Sequence, residues 1–288
     1  MSQIKFSPAT RLFGLIGHPV AHSLSPKIQN ELIDTCGGDA VYLAFDIEKD
    51  DVGSVMQAVR AMKIGGLNVT APYKEAVMPY LDSLDGTAQR YHAVNVIQNT
   101  DGHLRGYNVD IAGVLKFFEV KGVPICGKDV LVLGAGGLAR ALLNGLSAEK
   151  AGSLTVFNRT AEKAQELARR TEEEWGFPIC AEPEAKAYDL VINATSAGMH
   201  PQERACPVPF PCPWIDSHTI VFDSIYNPSE TVLLKESKRL GAKTYNGLGM
   251  LVLQALLSYE IFTGQKLESR IYQKFADYGS LQGVESIL

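Results

Sequence analysis

The sequence predicts an α/β fold with two domains, and three observations support this. The 288 residues are about twice the usual length of a single domain. Short runs rich in Val, Ile and Leu alternate with amphipathic stretches of helical length, which is the pattern of parallel strands joined by crossover helices. A glycine-rich turn at residues 134–139 lies between an apolar strand and a helix and starts a second such unit.

Three strands and a hairpin are predicted in the N-terminal part of the chain. The predicted strands are residues 12–16, residues 42–45 and Gly66–Val69. A helix is expected to begin near Ser25 and Pro26, because Ser is a good N-cap and Pro a good first helical residue. The turn-forming segment 99–102 predicts a hairpin between strands 94–98 and 103–107.

The second alternating unit begins in the middle of the chain. A helix is predicted from Asp110 to about Val120, and the helix-breaking segment 121–124 separates it from a strand that begins at Asp129. Further strands are predicted near residues 154–157, 190–193 and 220–222. A helix near 229–240 ends at Gly241, and a last helix near 249–263 follows the turn at Gly247. The pattern alone does not assign this last helix to a domain.

Composition and charge narrow the functional classes. Apolar residues make up 46% and charged residues 20% of the chain, as in ordinary soluble globular proteins. The net charge of −5 and the pI near 5.7 leave no global basic surface for nucleic acid or anionic lipid. The sequence shows no signal peptide, and the most apolar stretch is interrupted by Gln254 and Glu260, so no membrane span is expected.

The cysteines predict no metal site and no disulfide framework. They are scattered, with no C-x-x-C pair and no metal-ligand spacing, at Cys36, Cys126, Cys180, Cys206 and Cys212. Reduced thiols in a cytoplasmic protein are therefore expected.

The glycine-rich turn has the sequence of a dinucleotide-binding fingerprint. Its residues are Gly134, Ala135, Gly136, Gly137, Leu138 and Ala139, followed by Arg140 at the helix start. In this G-x-G-x-x-A pattern the first Gly permits the tight turn, the second lets the backbone approach a pyrophosphate, and the Ala allows close packing. The context predicts a Rossmann-type cofactor site.

The end of the second strand of this unit discriminates between NAD and NADP. NAD enzymes usually place an acidic residue there to bind the ribose hydroxyls. This sequence has Asn158, Arg159 and Thr160 instead, with Lys163 one helical turn later. A guanidinium suits a 2′-phosphate, so NADP is predicted as the cofactor. For Lys163, a solvated surface charge is an equally good interpretation.

A polar cluster follows the strand predicted at Gly66–Val69. It reads Asn68-Val69-Thr70-Ala71-Pro72-Tyr73-Lys74, and the end of a strand in an α/β sheet is the usual place for a ligand. Without a family, the cluster is also compatible with turn residues and a solvated lysine.

Further motifs make the chain resemble the shikimate dehydrogenase family. They occur in the family's order between about residue 14 and residue 254: His22-Ser23-Leu24-Ser25-Pro26, Ala93-Val94-Asn95, Tyr107-Asn108-Val109-Asp110-Ile111-Ala112-Gly113, Asn193-Ala194-Thr195-Ser196-Ala197-Gly198-Met199, Tyr226-Asn227-Pro228 and Gly247-Leu248-Gly249-Met250. The resemblance implies a substrate domain of residues 1–121 and 247–288, completed by the C-terminal helices. A Rossmann-type NADP-binding domain, residues 122–246, lies between these two parts.

The resemblance also implies roles for individual residues. By position, Lys74 and Asp110 match the catalytic pair, and Ser23 and Ser25 match the hydroxyls that hold the substrate carboxylate. The other implied substrate contacts are Thr70, Asn95, Tyr226 and Gln254, with Asn68 as a neighbour. The other implied cofactor contacts are Thr195, Ser196, Gly198, Met199, Ser224 and Gly247.

The implied reaction is the NADP-dependent, reversible reduction of 3-dehydroshikimate to shikimate, on the way to chorismate and the aromatic amino acids. Oxidising a secondary alcohol requires that a proton leaves oxygen while hydride leaves carbon, and a lysine beside a carboxylate can handle the proton. Three positions depart from the family pattern: Val96 and Val109 replace Thr, and His92 replaces Gly. These changes bear on the substrate preference rather than on the reaction type.

Two alternatives remain open at the level of sequence. A quinate or dual quinate/shikimate dehydrogenase would share nearly all of these motifs. A non-catalytic sensor of the ring acid or the nucleotide is the other alternative, because fold does not fix function. The retained Lys74 and Asp110 pair argues against the sensor. A monomer or homodimer with a small-molecule substrate is expected.

Overall fold

The computed structural model describes residues 7–276 and divides the chain into two compact units. The first comprises the described residues up to Gly113 together with Leu251–Tyr272. The second comprises Val114–Met250 and the described residues from Gln273 onward. The predicted α/β fold with two domains is confirmed. The domain limits derived from the sequence remain predictions.

A six-stranded mixed sheet organises the first unit, in the order β2-β1-β3-β5-β6-β4. Its strands are β1 (Arg11–Gly17), β2 (Ala40–Asp46), β3 (Gly66–Val69), β4 (Ser83–Leu84), β5 (Val96–Thr100) and β6 (His103–Tyr107). β1 pairs in parallel with β2 and β3, whereas β5 is antiparallel to β3 and β6. The carboxyl ends of β1, β2 and β3 therefore lie at one edge of the sheet, where the sequence carries its polar clusters.

A parallel six-stranded sheet organises the second unit, in the order β12-β11-β10-β7-β8-β9. Its strands are β7 (Asp129–Leu133), β8 (Ser153–Phe157), β9 (Ile179–Cys180), β10 (Leu190–Asn193), β11 (Ile220–Asp223) and β12 (Lys243–Tyr245). Every residue of β7 after Asp129 is fully buried, as expected for a central strand covered on both faces. Because β7 is flanked by β10 and β8, the chain changes direction across the sheet there, which is where α/β sheets bind ligands.

Helices connect these strands. They are α1 (Ser25–Thr35), α2 (Val52–Ala61), α3 (Gly86–Tyr91), α4 (Asp110–Lys121), α5 (Gly137–Ala148), α6 (Ala161–Trp175), α7 (Val232–Arg239), α8 (Leu248–Thr263) and α9 (Ser269–Ala276). In the first unit, Met56 and Val59 of α2 pack against Leu67 and Ile97 of the sheet, and all four side chains are at most 1% exposed. Burial of each such side chain contributes about 1.5–3 kcal/mol. None of the helices in residues 7–276 has the length and apolarity needed to cross a membrane.

The structure confirms the predicted strands and corrects three element ends. Gly66–Val69, His103–Tyr107 and Leu190–Asn193 agree residue for residue. Ser25 is not an N-cap: α1 already begins at this residue after Leu24, and no side chain caps it. The helix expected from residue 229 begins at Val232, because Thr231 is extended and its hydroxyl accepts the N–H of Leu234. Strand β5 begins at Val96, two residues later than predicted.

Candidate active site

Lys74 and Asp110 form an ion pair in the first unit. Nζ of Lys74 donates to Oδ2 of Asp110 over 2.7 Å, and the two side chains are 33% and 20% exposed. Asp110 is the first residue of α4, where the helix dipole favours a carboxylate. Nδ2 of Asn95 donates to the other carboxylate oxygen over 2.9 Å. The pair is thus held in place yet open to a ligand, and this bond uses one of the three N–H donors of Lys74.

Two buried asparagines fix the backbone around Asp110. Oδ1 of Asn95 accepts the N–H of Val109 at 2.9 Å, and Oδ1 of Asn108 accepts the N–H of Asp110 at 3.0 Å. Asn108 in turn donates to the carbonyl of Ala93. Sequence analysis gave Asn108 no role, although an Asn side chain commonly accepts the backbone N–H two residues later, as it does here at the start of α4.

Asn68 is largely committed to the protein itself. Its Oδ1 accepts from the hydroxyl of Tyr42 at 2.8 Å. Its Nδ2 donates to Oγ of Ser258 at 2.8 Å and to the carbonyl of Asn95 at 3.2 Å. Both amide hydrogens are therefore engaged, and one acceptor site is left for a ligand. Asn68 therefore holds the backbone of Asn95 in place and supports that residue.

The other substrate candidates of the first unit lie around the same sheet edge. Nε2 of Gln254 donates to the backbone carbonyl of Asp110 over 3.4 Å, so Gln254 lies beside the Lys74–Asp110 pair. Thr70 follows β3 and donates its N–H to Ile16 of β1. A Cβ on Gly17 would lie 2.3 Å from Cγ2 of Thr70, so the loops after β1 and β3 need glycine there to approach.

The two serines occupy the segment that follows β1. Oγ of Ser23 accepts the N–H of Ser25 at 3.2 Å, which places both residues at the start of α1. The side chains are half-buried.

The three departures from the family pattern have clear structural positions. Val96 is fully buried and Val109 is 7% exposed, so both contribute to the interior of the first unit. His92 caps the C-terminus of α3 with φ 48° and ψ 41°. This left-handed conformation favours glycine, the residue that the family resemblance implies at this position.

A cavity of about 890 Å³ lies at the carboxyl edge of the second sheet. This is a suitable size for a small-molecule site. The predicted cofactor residues that line it are Gly134, Ala135, Gly136, Asn158, Arg159, Thr160, Lys163, Thr195 and Ser196. The structure therefore brings together the glycine turn, the end of β8 and the loop after β10.

The geometry of the glycine turn fits a dinucleotide. Gly134 has φ 112°, which L side chains rarely adopt, and a Cβ there would lie 2.9 Å from Cγ2 of Thr195. Gly136 is the N-cap of α5, and a Cβ on it would meet nothing within 4 Å. The turn thus leaves open space in front of a helix N-terminus, whose free N–H groups and dipole suit a pyrophosphate.

Two cations border this cavity. Arg159 and Lys163 are exposed and line it, and within residues 7–276 neither forms an ion pair with a carboxylate. Their charge is therefore available to an anionic ligand such as a 2′-phosphate.

Other predicted cofactor residues lie outside this cavity. Gly137 and Arg140 line an adjoining cavity, and the guanidinium of Arg140 is bound by the carboxylate of Glu174 at 2.8 and 2.9 Å. Arg140 is therefore engaged with Glu174 of α6. Leu138 lies in the first turn of α5, and Ala139 is fully buried, which fits close helix packing.

The remaining candidates of the second unit lie in the loops after β10, β11 and β12. Gly198 has φ 106° and approaches Thr231, whereas Met199 is 47% exposed. Gly247 donates to the carbonyl of Ile225, and a Cβ on it would lie 2.0 Å from the carbonyl oxygen of Ser224. Burial raises the pKa of Tyr226, which keeps its hydroxyl protonated and able to donate.

One wall of the cavity was missed by sequence analysis. It consists of Gln202, Ala205, Cys206, Pro207, Val208 and Pro209. The dense prolines of residues 207–213 are a signal for a rigid loop, but the sequence does not show which side of the sheet this loop covers. In the described part of the chain, no group of three or more His, Cys, Asp or Glu side chains is arranged to hold a metal ion.

Comparisons with known proteins agree across the chain. Residues 15–97 match the shikimate dehydrogenase substrate binding domain, residues 119–203 match shikimate / quinate 5-dehydrogenase, and residues 247–268 match the shikimate 5'-dehydrogenase C-terminal domain. The shikimate dehydrogenase (NADP(+)) of Geobacillus kaustophilus is 44% identical over 259 residues, which cover 88% of this chain and 93% of that protein.

Solved structures give the same result. A shikimate dehydrogenase in complex with NADP+ superposes with a TM-score of 0.84 at 35% identity, over 99% of this chain and 98% of that chain. The enzyme of Thermus thermophilus in complex with NADP(H) and shikimate has a TM-score of 0.81 at 33% identity, over 94% of this chain and 100% of that chain. Sequence motifs, the fold and these matches together show that the chain belongs to the shikimate dehydrogenase family.

Proposed function

We propose that this chain is an NADP-dependent shikimate dehydrogenase, an oxidoreductase of the shikimate pathway that interconverts 3-dehydroshikimate and shikimate. The observation that carries the proposal is the Lys74–Asp110 pair, with its 2.7 Å hydrogen bond. It lies in the unit whose sheet edge also carries the serine, threonine and asparagine candidates. Curated relatives that are about 40% identical to this chain are named shikimate dehydrogenase (NADP(+)).

Lys74 is the residue that handles the proton. When bound, NADP+ would supply the hydride acceptor for the ring carbon of shikimate, and NADPH the hydride donor for the ketone. Lys74 contacts the reacting oxygen and exchanges a proton with it, while Asp110 orients the ammonium through its Oδ2. Asn95 and Asn108 keep the carboxylate in position through the bonds described above.

The polar groups around this pair recognise the ring acid. Ser23 and Ser25 bind the substrate carboxylate, and Thr70, Asn95 and Gln254 bind ring hydroxyls. Asn95 has one amide hydrogen left after its bond to Asp110. Asn68 supports Asn95, and for Tyr226 the role of a substrate contact rests on the family resemblance.

NADP is held by the second unit. The first turn of α5, at Gly136 and Gly137, binds the pyrophosphate. Arg159 binds the 2′-phosphate together with Asn158 and Thr160, and Lys163 adds a second positive charge. Quinate is a weaker substrate in this proposal. The cytoplasmic location and the oligomeric state, a monomer or homodimer, stay as predictions from the sequence.

The decisive experiment follows NADPH at 340 nm during oxidation of shikimate, with the Asp110→Asn protein as a matched control. We expect turnover in the wild type and strongly reduced turnover in the control. Tight binding of NADP+ and shikimate by the wild type without any turnover would contradict the proposal and would favour the sensor.

A further inference from the structure

A buried carboxylate in the second unit has no part in the chemistry proposed above. Asp223, the last residue of β11, is 0% exposed. Its Oδ1 accepts Nδ2–H of Asn193 at 2.9 Å and the N–H of Ile225 at 3.0 Å. Its Oδ2 accepts the hydroxyl of Thr231 at 2.6 Å. All three partners are neutral donors, so Asp223 acts as the shared acceptor of one network.

The network continues from Asp223 to the cofactor cavity. Asn193 is also 0% exposed and ends β10 directly beside Asp223. Its Oδ1 accepts the N–H of Thr195 at 3.0 Å and the hydroxyl of Thr195 at 2.7 Å. Oγ1 of Thr195 then accepts the N–H of Ala197 at 3.1 Å. Thr195 and Ala197 both line the cavity.

The carboxylate fixes which way the Asn193 amide faces. With the NH2 group towards Asp223, the amide oxygen faces Thr195, where it accepts two hydrogen bonds. If the amide were flipped, its oxygen would face the carboxylate of Asp223 and its NH2 group would face the N–H of Thr195. The hydrogen bonds to Asp223 and to the N–H of Thr195 would then both be lost. Asp223 thereby determines the position of the Thr195 loop, which also packs against Gly134 of the glycine turn.

The same carboxylate holds the loop after β11. It binds the N–H of Ile225 and Thr231, the N-cap of α7. The carbonyl of Ile225 in turn accepts the N–H of Gly247. Two loops at the carboxyl edge of the sheet are therefore tied to one acceptor. Burial raises the pKa of Asp223, and the three donors act in the opposite direction.

We propose that Asp223 is a positioning residue for the cofactor, which acts through Asn193 and Thr195 to hold the wall of the NADP site. This inference rests on the proposed function, because it takes the cavity as the NADP site. Asp223 touches neither substrate nor cofactor. Its effect reaches the cofactor through the orientation of one buried amide.

The experiment measures the dissociation constant of NADP+ for three variants of the full-length protein. Asp223→Ala removes the acceptor and leaves the Asn193 amide free to turn, so we expect binding to weaken about tenfold or more. Asp223→Asn keeps an acceptor oxygen for Asn193 and Ile225, and the Thr231 hydroxyl can rotate to accept, so it should restore most of the affinity. Ser237→Ala is the control, because Ser237 is equally buried and its Oγ donates to the carbonyl of Leu233 within α7.

A double-mutant cycle with Thr195→Val separates positioning from general loss of stability. If both residues act through one relay, the double variant of Asp223→Ala and Thr195→Val should bind NADP+ as tightly as the single variant that has the lower affinity. The control should lower the melting temperature and leave the dissociation constant unchanged. If Asp223→Ala does not fold, Asp223→Ser takes its place, under the same criterion.

Three results would overturn the inference: unchanged NADP+ affinity in a folded Ala or Ser variant, full additivity with Thr195→Val, or an Asn variant as weak as the Ala variant. Failure of the wild type to bind NADP+ would overturn the proposed function together with this inference. If the wild type and the Asp223 variants bind NADP+ equally tightly, only this inference is overturned and the proposed function stands.

Discussion

The backbone of His92 carries strain that glycine would relieve. A non-glycine residue in the left-handed region costs roughly 1–2 kcal/mol, and His92 has φ 48°. Glycine loses more chain entropy on folding, by roughly 0.5–1 kcal/mol. We therefore expect His92→Gly to stabilise the protein by up to about 1 kcal/mol, measured as a higher urea midpoint. His92→Asn, which tolerates this conformation, should lie between the two, and a lower midpoint for the Gly variant would contradict the argument.

Lys74→Ala should lower kcat by roughly 10²- to 10⁴-fold, the usual range for removal of a positioned acid or base. Lys74 lies in the first unit and the cavity residues lie in the second, so the NADP+ dissociation constant should stay near the wild-type value. Steady-state kinetics and fluorescence titration measure the two quantities. The exposed Lys235→Ala protein is the control for loss of a lysine. Near-normal turnover of a folded Lys74→Ala protein would refute the proton-transfer role.

Arg159→Ala should weaken NADP+ about tenfold or more and affect NAD+ much less, since a charged hydrogen bond contributes about 1.5–3 kcal/mol. In the proposed function the guanidinium binds the 2′-phosphate, the group that distinguishes the two cofactors. Arg169→Ala removes the same charge from α6, where Arg169 is paired with Glu166 and Glu173, and should change neither affinity. Equal weakening of both cofactors would assign Arg159 to the shared phosphates or to structure.

At the scale of elements, α1 protects the edge of the first sheet. β2 is an edge strand, and edge strands expose unpaired backbone groups that invite association. Asn30 of α1 covers one such residue: its Nδ2 donates to the carbonyl of Tyr42 at 2.8 Å, and its Oδ1 accepts the N–H of Tyr42 at 2.9 Å. A side-chain amide thus takes the place of a neighbouring strand.

Asn30→Leu should therefore destabilise the protein by about 1–3 kcal/mol, the cost of leaving backbone groups unpaired. It should also promote self-association through β2. Denaturant titration and size-exclusion chromatography over a range of concentrations measure these effects. Asn30→Asp keeps the acceptor for the Tyr42 N–H but sets a carboxylate oxygen against the carbonyls of Pro26 and Tyr42, so it should be destabilised as well. Unchanged stability and elution of the Leu variant would show that the edge needs no cover.

Elements were predictable from sequence where the local pattern dominates. β7 after Asp129 and β10 before Asn193 are continuous apolar runs. The Asp101-Gly102 turn of the hairpin has positive φ at both residues, as Asp-Gly sequences favour. Strands β4, β9 and β12 were not predicted. They have only two or three residues, and tertiary pairing rather than local pattern makes them strands.

At the scale of the whole molecule, the site depends on chain segments that are far apart in sequence. The hydrogen bond between Gln254 and Asp110 was not predicted, and the return of the C-terminal helix to the first domain was expected only because the family resemblance implies it. The Asp223–Asn193 network was not expected at all, because neither residue type at a strand end reveals its partner. Motifs therefore predicted which residues take part, and the fold was needed to show which of them support the others.

We expect a preference for shikimate over quinate, because few polar groups near the substrate candidates are without a partner. Quinate carries an extra hydroxyl on the carbon that bears the carboxylate, and an unpaired hydroxyl in the site costs about 1–3 kcal/mol. Ser23 already accepts a backbone N–H, and both amide hydrogens of Asn68 are engaged. Val96 and Val109 are buried and apolar. We therefore expect kcat/KM for shikimate to exceed that for quinate by about 5- to 150-fold at saturating NADP+. A quinate value equal to or above the shikimate value would mean that the hydroxyl finds a partner, and Thr70→Val would then test one candidate partner.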